Sequence, residues 1–175
     1  EHMGKPGAVA KKEGDVGSAL SASVKTLEKA YKLPFISHAQ AEPINCTAHV
    51  ETDRCRIWVP TQGQTSTLMT AAQLTGLPVE KIEVMTLPAG GGFGLRAEQD
   101  PVADSILLSK ALNRPVKVVW SRSDDFAHDR FRPASQCSIS AGLDENGRIT
   151  AWLHKVAAAS VMSRLMPQAV QNGID

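Results

Sequence analysis

The chain has 175 residues, 42% of them hydrophobic, and a formal net charge of +1. That length supports one domain with a proper core or a piece of something larger. The near-neutral balance gives no electrostatic case for nucleic acid or an anionic membrane, and no apolar run approaches the ~20 residues that cross a bilayer. No secretory signal is visible. Glu1-His2-Met3 reads as a cloning scar, and residues 1–17, rich in Gly, Lys and Ala, read as a linker or tag remnant. Ser18 to Glu28 predicts a short helix, and the second half of Thr26–Ser37 a strand. Thr47–Glu51 and Cys55–Val59 predict a hairpin turning at Thr52-Asp53-Arg54. Thr61 to Thr75 predicts a helix stopped by Gly76 and Pro78. Ile82–Leu87 predicts a strand that runs into a glycine loop.

Asp100-Pro101 predicts a helix start, with the aspartate as cap and proline at the first position, continuing from Val102 to Leu112. Val116–Trp120 reads as a short strand buried on both faces. Ser135–Leu143 and Arg148–Ala158 read as two strands joined by Asp144-Glu145-Asn146-Gly147, a strong hairpin signal. The pattern dissolves after Ser160. The organisation predicted is α+β: a mixed sheet with helices covering one face and hairpins at both ends. Residues 18–160 form the body, and 161–175 a truncated C-terminal segment.

The most informative feature is Gly90-Gly91-Gly92-Phe93-Gly94. Glycines let the backbone approach a ligand closely, and successive amides can form a nest of donors for oxyanions. The alternative is a tight strand-to-helix connection. No Gly-Lys-Ser/Thr follows, and the spacing does not fit the dinucleotide fingerprint. Few apolar side chains besides Phe93 and Leu95 are at hand to anchor this loop. Cys46, Cys55 and Cys137 lack disulfide-framework or metal-ligand spacing and read as small thiols. His38 and His49 flank the region and read as structural or surface residues.

Three further segments accompany the loop: Glu42-Pro43-Ile44-Asn45-Cys46-Thr47-Ala48, Pro60-Thr61-Gln62-Gly63-Gln64, and Phe131-Arg132-Pro133 after the charged stretch Ser121–Phe126. With His38-Ala39-Gln40-Ala41 before the first, Trp58-Val59 before the second, Leu95-Arg96 after the loop and Arg130 before the third, this order resembles the molybdenum-cofactor-binding subunit of the xanthine dehydrogenase and aldehyde oxidase family. It is most similar to the branch of isoquinoline 1-oxidoreductase β subunits and membrane-associated aldehyde dehydrogenases. The similarity runs from about Lys5 onward and covers the first part of the family's molybdopterin-binding region.

The resemblance implies a molybdenum–molybdopterin cofactor, with the cytosine dinucleotide form as one alternative. It implies hydroxylation of an aldehyde or N-heterocycle with water as the oxygen source. Electrons would leave through iron–sulfur clusters on a small partner subunit, with a cytochrome as a further candidate partner. The resemblance points to a bacterial periplasmic or cytoplasmic location, without deciding between them. Gln62 matches the glutamine that hydrogen-bonds an oxygen ligand of molybdenum, a task suited to its amide N–H₂. Gly91, Gly92, Phe93 and Gly94 match the loop against the cofactor, with the Gly94 N–H close to the metal ligands and the Phe93 ring over substrate. Arg132 matches an arginine that orients substrate or stabilises developing negative charge. Glu42 is either a buried structural carboxylate or a site residue.

Two departures stand out. Leu95-Arg96-Ala97 replaces a glycine, a lysine and the glutamate of purine-oxidising members, which argues against purines. The family's catalytic glutamate is expected beyond Asp175, and the iron–sulfur cysteines in another chain or domain. A second reading is a non-catalytic folding or assembly module contacting an iron–sulfur partner; a third is an unrelated α+β binding protein.

Overall fold

The computed structural model describes residues 2–172 and 174; Glu1 of the expected tag remnant and Gly173 and Asp175 of the C-terminal segment lie outside the described residues. The chain divides into two compact units, Glu1–Ile36 with Arg132–Asp175, and Ser37–Phe131.

The first unit holds a three-stranded antiparallel sheet ordered β1-β6-β7, from Lys25–Leu33, Ser135–Leu143 and Ile149–Ala158. Helix α1 spans Val16–Ser21, with Asp15 accepting from the Ser18 N–H as its cap. The predicted Ser18–Glu28 helix is therefore cut short and shifted toward the N-terminus. Strand β1 takes over from Lys25 and ends at Leu33, earlier than expected. Its nine residues are all exposed, as befits an edge strand paired on one side only. The β6–β7 turn forms as predicted: Asp144 Oδ1 accepts from the Asn146 and Arg148 N–H groups, and Gly147 takes φ +76°. After β7 come a short helix, α5 at Met162–Leu165, and a 3-10 turn at Pro167–Ala169.

The second unit is a four-stranded mixed sheet ordered β4-β3-β2-β5. Strands β2 (Asn45–Val50) and β3 (Cys55–Val59) form the predicted antiparallel hairpin. Helix α2 (Gln64–Thr75) then crosses over to β4 (Ile82–Thr86), which pairs parallel to β3. Gly76 ends α2 in the left-handed conformation at φ +78°, as its position predicts. Helix α3 (Asp100–Leu112) leads to β5 (Val116–Val119) at the opposite edge, antiparallel to β2. The α+β class holds, but the two predicted hairpins belong to separate sheets.

One face of this sheet is apolar. Cys46 and Ala48 of β2, Cys55, Ile57 and Val59 of β3, and Ile82 of β4 pack against Ala71 of α2 and Val102 and Ile106 of α3. Burial of this kind is worth about 25 cal/mol per Å² of apolar surface. Polar pins add direction: Ser105 Oγ donates to the Cys46 carbonyl at 3.0 Å, and Ser109 Oγ accepts from the Val50 N–H at 3.0 Å. Two expectations need correction. Strand β5 is an edge, alternately half-buried and exposed, because it pairs with β2 alone. Gln99 rather than Asp100 precedes the first turn of α3, and Asp100 and Pro101 lie inside it. The charged stretch Ser121–Phe126, for which no element was expected, starts helix α4 (Arg122–Ala127) on a capping box, with Ser121 and Asp124 satisfying each other's N–H groups.

The topology gathers the informative segments. Strands β3 and β4 are parallel neighbours, so Pro60–Gly63 and the glycine loop leave the same end of the sheet. Strand β2 is antiparallel and starts at that end, after residues 38–44. Strand β5 exits there into α4. Loops beyond the carboxyl ends of parallel strands are where open α/β sheets bind ligands.

Candidate functional site

The site is built from the glycine loop outward. Among the described residues, four of the loop's five carbonyls are tied down and three of its amides are free. The Gly90 carbonyl accepts from the Glu42 N–H at 3.1 Å, Gly91 from Arg96 Nε at 2.6 Å, Gly92 from the Leu95 N–H at 2.9 Å and Gly94 from the Ala97 N–H at 3.1 Å. The N–H groups of Gly91, Gly92 and Phe93 donate to no described residue. The loop turns through positive φ at Gly91 (+93°), Phe93 (+54°) and Gly94 (+109°). Phe93 is a non-glycine residue in that region, an uncommon conformation, and 65% of its surface is exposed.

The anchor that sequence reading missed is Arg96. It is 3% exposed. Its guanidinium donates to the Gly91 carbonyl, to the Glu42 carbonyl at 2.7 Å, to Glu42 Oε2 at 3.1 Å and to the Pro60 carbonyl at 3.5 Å. Burial lowers its pKa, with the Glu42 and Asp125 charges opposing. The rigid fork of arginine suits this multi-acceptor role. Glu42 completes the anchor, with Oε2 accepting from the Gly90 N–H at 2.6 Å and Oε1 from the Asn45 amide at 2.8 Å. Burial works against its carboxylate, but the Gly90 N–H, the Asn45 amide and the charges of Arg96 and Lys117 hold its pKa below the usual value. Glu42 is thus a structural carboxylate of the loop. The anchors are polar, which a search for apolar contacts could not find.

Gln62 is brought directly against the loop. Its Oε1 accepts from the Gly94 N–H at 3.1 Å, and its backbone N–H donates to the Arg96 carbonyl at 3.0 Å. The Gly94 N–H, expected near metal ligands, is spent on Gln62. The bond also orients the amide: with the oxygen occupied, the N–H₂ is the free end, and it has no partner among the described residues. A Cβ added to Gly92 would sit 2.5 Å from Gln62 Oε1, so only glycine leaves room for this amide.

Below the loop runs residues 38–40. Gln40 is fully buried and donates to Asp125 Oδ1 at 2.8 Å, while its own Oε1 has no partner. Arg122 pairs with Asp125 and donates to the Gln40 carbonyl. His38 Nδ1 lies 2.7 Å from Asp129 Oδ1. Asp129 Oδ2 accepts from the His38 N–H at 2.7 Å and the Ser37 hydroxyl at 2.5 Å. Burial opposes the Asp129 carboxylate, but the Ser37 hydroxyl and the His38 ring and N–H outweigh it and hold its pKa below the usual value. His49 stands on β2 beside Arg56 and Glu51, 3.6 Å from the carboxylate.

Arg132 belongs to the first unit, where its backbone forms an antiparallel bridge with Ile36 and its side chain is exposed. Cys46 and Cys55 are buried free thiols, their pKa values pushed by burial to about 11, and Cys137 is half-buried.

The chemistry of the donor set can be tested against a molybdopterin cofactor. Three free backbone amides and one fixed amide N–H₂ offer donors to an oxygen-rich group, as oxo and phosphate oxygens require, and the loop has no side chain at Gly91, Gly92 or Gly94 to obstruct it. The residues fit.

Comparison with known proteins agrees. Residues 2–173 match the molybdopterin cofactor-binding domain. The chain is 36% identical over 136 residues to the isoquinoline 1-oxidoreductase subunit beta of Brevundimonas diminuta, covering 77% of this chain and 17% of that protein. It is 30% identical over 161 residues to the membrane-bound aldehyde dehydrogenase (pyrroloquinoline-quinone) of Gluconacetobacter polyoxogenes, covering 91% of this chain and 21% of that protein. The chain thus spans about a fifth of the length of these relatives. In fold it is similar to the aldehyde oxidoreductase from Desulfovibrio gigas, with a TM-score of 0.69 and 20% identity over 84% of this chain and 16% of that one. The chain belongs to the molybdopterin cofactor-binding domain family, within the molybdenum hydroxylases.

Proposed function

We propose that this chain supplies the glycine-loop wall of the cofactor site in a molybdenum-dependent oxidoreductase. The whole protein would hydroxylate aldehydes or N-heterocycles with water as the oxygen source. The observation that carries this reading is the polarity of the loop: the Gly90, Gly91, Gly92 and Gly94 carbonyls are bonded within the protein, the Gly91, Gly92 and Phe93 amides donate to no described residue, and the Gln62 N–H₂ is the open end of a clamped amide.

When bound, the molybdenum cofactor supplies the two-electron oxidation of a substrate carbon, chemistry no side chain here can perform. Gln62 holds its donors in place before ligand arrives, so no reorganisation accompanies binding. Gly91, Gly92 and Gly94 admit close approach. The exposed Phe93 ring forms an apolar wall for a flat substrate. Arg132, by resemblance, orients a substrate carbonyl or balances charge developing on it. Ala97 has no carboxylate to recognise a purine. The partner proposed is a small iron–sulfur subunit that takes up the electrons, with a cytochrome as a further acceptor. The cofactor form proposed is the cytosine dinucleotide.

The test is Gln62→Ala in the full-length protein, with molybdenum and pterin content measured beside turnover of an aldehyde and an N-heterocycle. Loss of one preorganised donor lowers turnover by about one to three orders of magnitude, with an unchanged melting temperature. Unchanged turnover in cofactor-loaded protein removes Gln62 from the site. Full retention of partner binding without turnover in the wild type favours the assembly-module reading.

A further inference from the structure

The loop and Gln62 offer hydrogen-bond donors. A complementary group, His38, borders the loop at Gly94. Asp129 is 91 residues from it in sequence, yet its carboxylate takes the His38 Nδ1, the His38 N–H and the Ser37 hydroxyl together. The side chains of His38 and Asp129 are 7% and 1% exposed. An ionised carboxylate only accepts, so Nδ1 carries the proton, and in the neutral ring Nε2 is then a lone-pair acceptor. That Nε2 has no partner among the described residues and is not one of the enclosed orphan atoms, which are Gln40 Oε1 and Arg56 Nε. It lies 3.9 Å from where a side chain on Gly94 would begin, and no other heavy atom comes within 4 Å of that point apart from the residues adjoining Gly94 in the chain. The space beside Gly94 is therefore open, with a fixed imidazole nitrogen on its border.

We propose that His38 is a ligand-facing residue of this site, with Asp129 as its positioning residue: Nε2 accepts a hydrogen bond from a protic group, N–H or O–H, of a molecule bound over Gly94. The inference rests on the cofactor-site reading above. It adds an acceptor to a site otherwise made of donors. A bound molecule carrying both oxygen acceptors and N–H or O–H donors would be held in one orientation only. A group of that kind can come from the cofactor or from the substrate.

Two variants of the full-length protein separate these sources. His38→Leu removes the acceptor, and His38→Gln keeps a carboxamide oxygen in its place. The probes are molybdenum and released pterin per protein, KM for an aldehyde substrate, and melting temperature. If the cofactor supplies the protic group, His38→Leu lowers cofactor content at least tenfold and His38→Gln restores it. If the substrate supplies it, both variants keep their cofactor, and KM rises at least tenfold in His38→Leu and recovers in His38→Gln. The proposal is overturned if Leu and Gln behave alike in both content and KM, whatever happens to melting temperature, because a purely structural imidazole predicts that result. A wild-type protein without molybdenum and pterin overturns the cofactor-site reading itself, whereas a loaded wild type with two indifferent variants overturns this inference alone.

Discussion

Gly92→Ala and Gly90→Ala are neighbouring, chemically identical substitutions, yet the structure assigns them different consequences. At Gly92 a Cβ would stand 2.5 Å from Gln62 Oε1, 3.0 Å from Gln62 Cδ and 3.4 Å from Arg96 Cδ. The first two atoms are the far end of a flexible side chain, which can swing away. The swing costs the Gly94 N–H···Oε1 bond, worth about 0.5–1.5 kcal/mol net. Replacing glycine recovers about 0.4–1 kcal/mol through the unfolded chain, and Gly92 does not need a positive φ. The net change in stability is within about 1 kcal/mol. At Gly90 a Cβ would stand 2.5 Å from Glu42 Cβ and 3.4 Å from the Glu42 backbone nitrogen. Those atoms cannot move without moving the 42–44 segment. The cost there combines overpacking of about 1–3 kcal/mol with loss of the charge-assisted Gly90 N–H to Glu42 bond, about 1.5–3 kcal/mol. After the same entropic offset, about 2–5 kcal/mol remains. Urea unfolding measures both values, and amide exchange at Gly94 reports the Gln62 bond. Gly92→Ala is expected to keep its urea midpoint, to speed exchange at Gly94, and in the loaded full-length protein to lose turnover as Gln62→Ala does. Equal destabilisation by the two alanines, or an unaltered Gly94 exchange rate in Gly92→Ala, would refute the reasoning.

Arg96→Met removes the guanidinium bonds to the Gly91, Glu42 and Pro60 oxygens and should cost on the order of 3 kcal/mol in urea unfolding, as breaking a buried pair does; Arg96→Lys should recover less than half of it, because an ammonium cannot match the fork. Glu42 and Asp129 have folded pKa values below their unfolded values. Their contribution to stability is therefore complete above the unfolded values of about 4.3 and 3.9 and is lost as pH falls through the lower folded values. Urea midpoints between pH 2.5 and 6 should drop on the acid side, less steeply in Glu42→Gln; parallel profiles would show that Glu42 does not contribute. Cys46 and Cys55, raised to about 11 by burial, should react with an aromatic disulfide reagent only on unfolding. Because ionisation is disfavoured in the fold, they stabilise fully below the unfolded value of about 8.5 and cease to do so as pH rises toward 11; rapid labelling of three thiols in the native protein would contradict the packing described.

Much of the second unit was legible in order of residues alone. The hairpin Asn45–Val59, helix α2 with Gly76 at its end, and β4 running into the glycines all rest on signals between residues a few positions apart: alternation, a left-handed stop, a proline. The juxtaposition of Gln62 with the glycine loop came through resemblance, and the structure brings the two together through the Gly94 N–H. Helix α4 was also within reach, since Ser121 and Asp124 are three residues apart, but its charged run was assigned no element.

Other features had no local signal. That β5 lies at an edge follows from which strand it pairs with, and its four-residue valine-rich pattern would be the same in the middle of the sheet. The division of the two hairpins between separate sheets depends on β1 pairing with β6, more than one hundred residues away. Arg96 reads as a charged residue after a glycine motif until folding places the Gly91, Glu42 and Pro60 oxygens around it. His38 reads as one of five scattered histidines until Asp129 arrives from 91 residues along the chain. Sequence by itself determined the periodic elements, their turn chemistry and the donor types available for a ligand. Tertiary structure decided which donors remain free, because freedom depends on where every competing acceptor ends up, and those acceptors are distant along the chain.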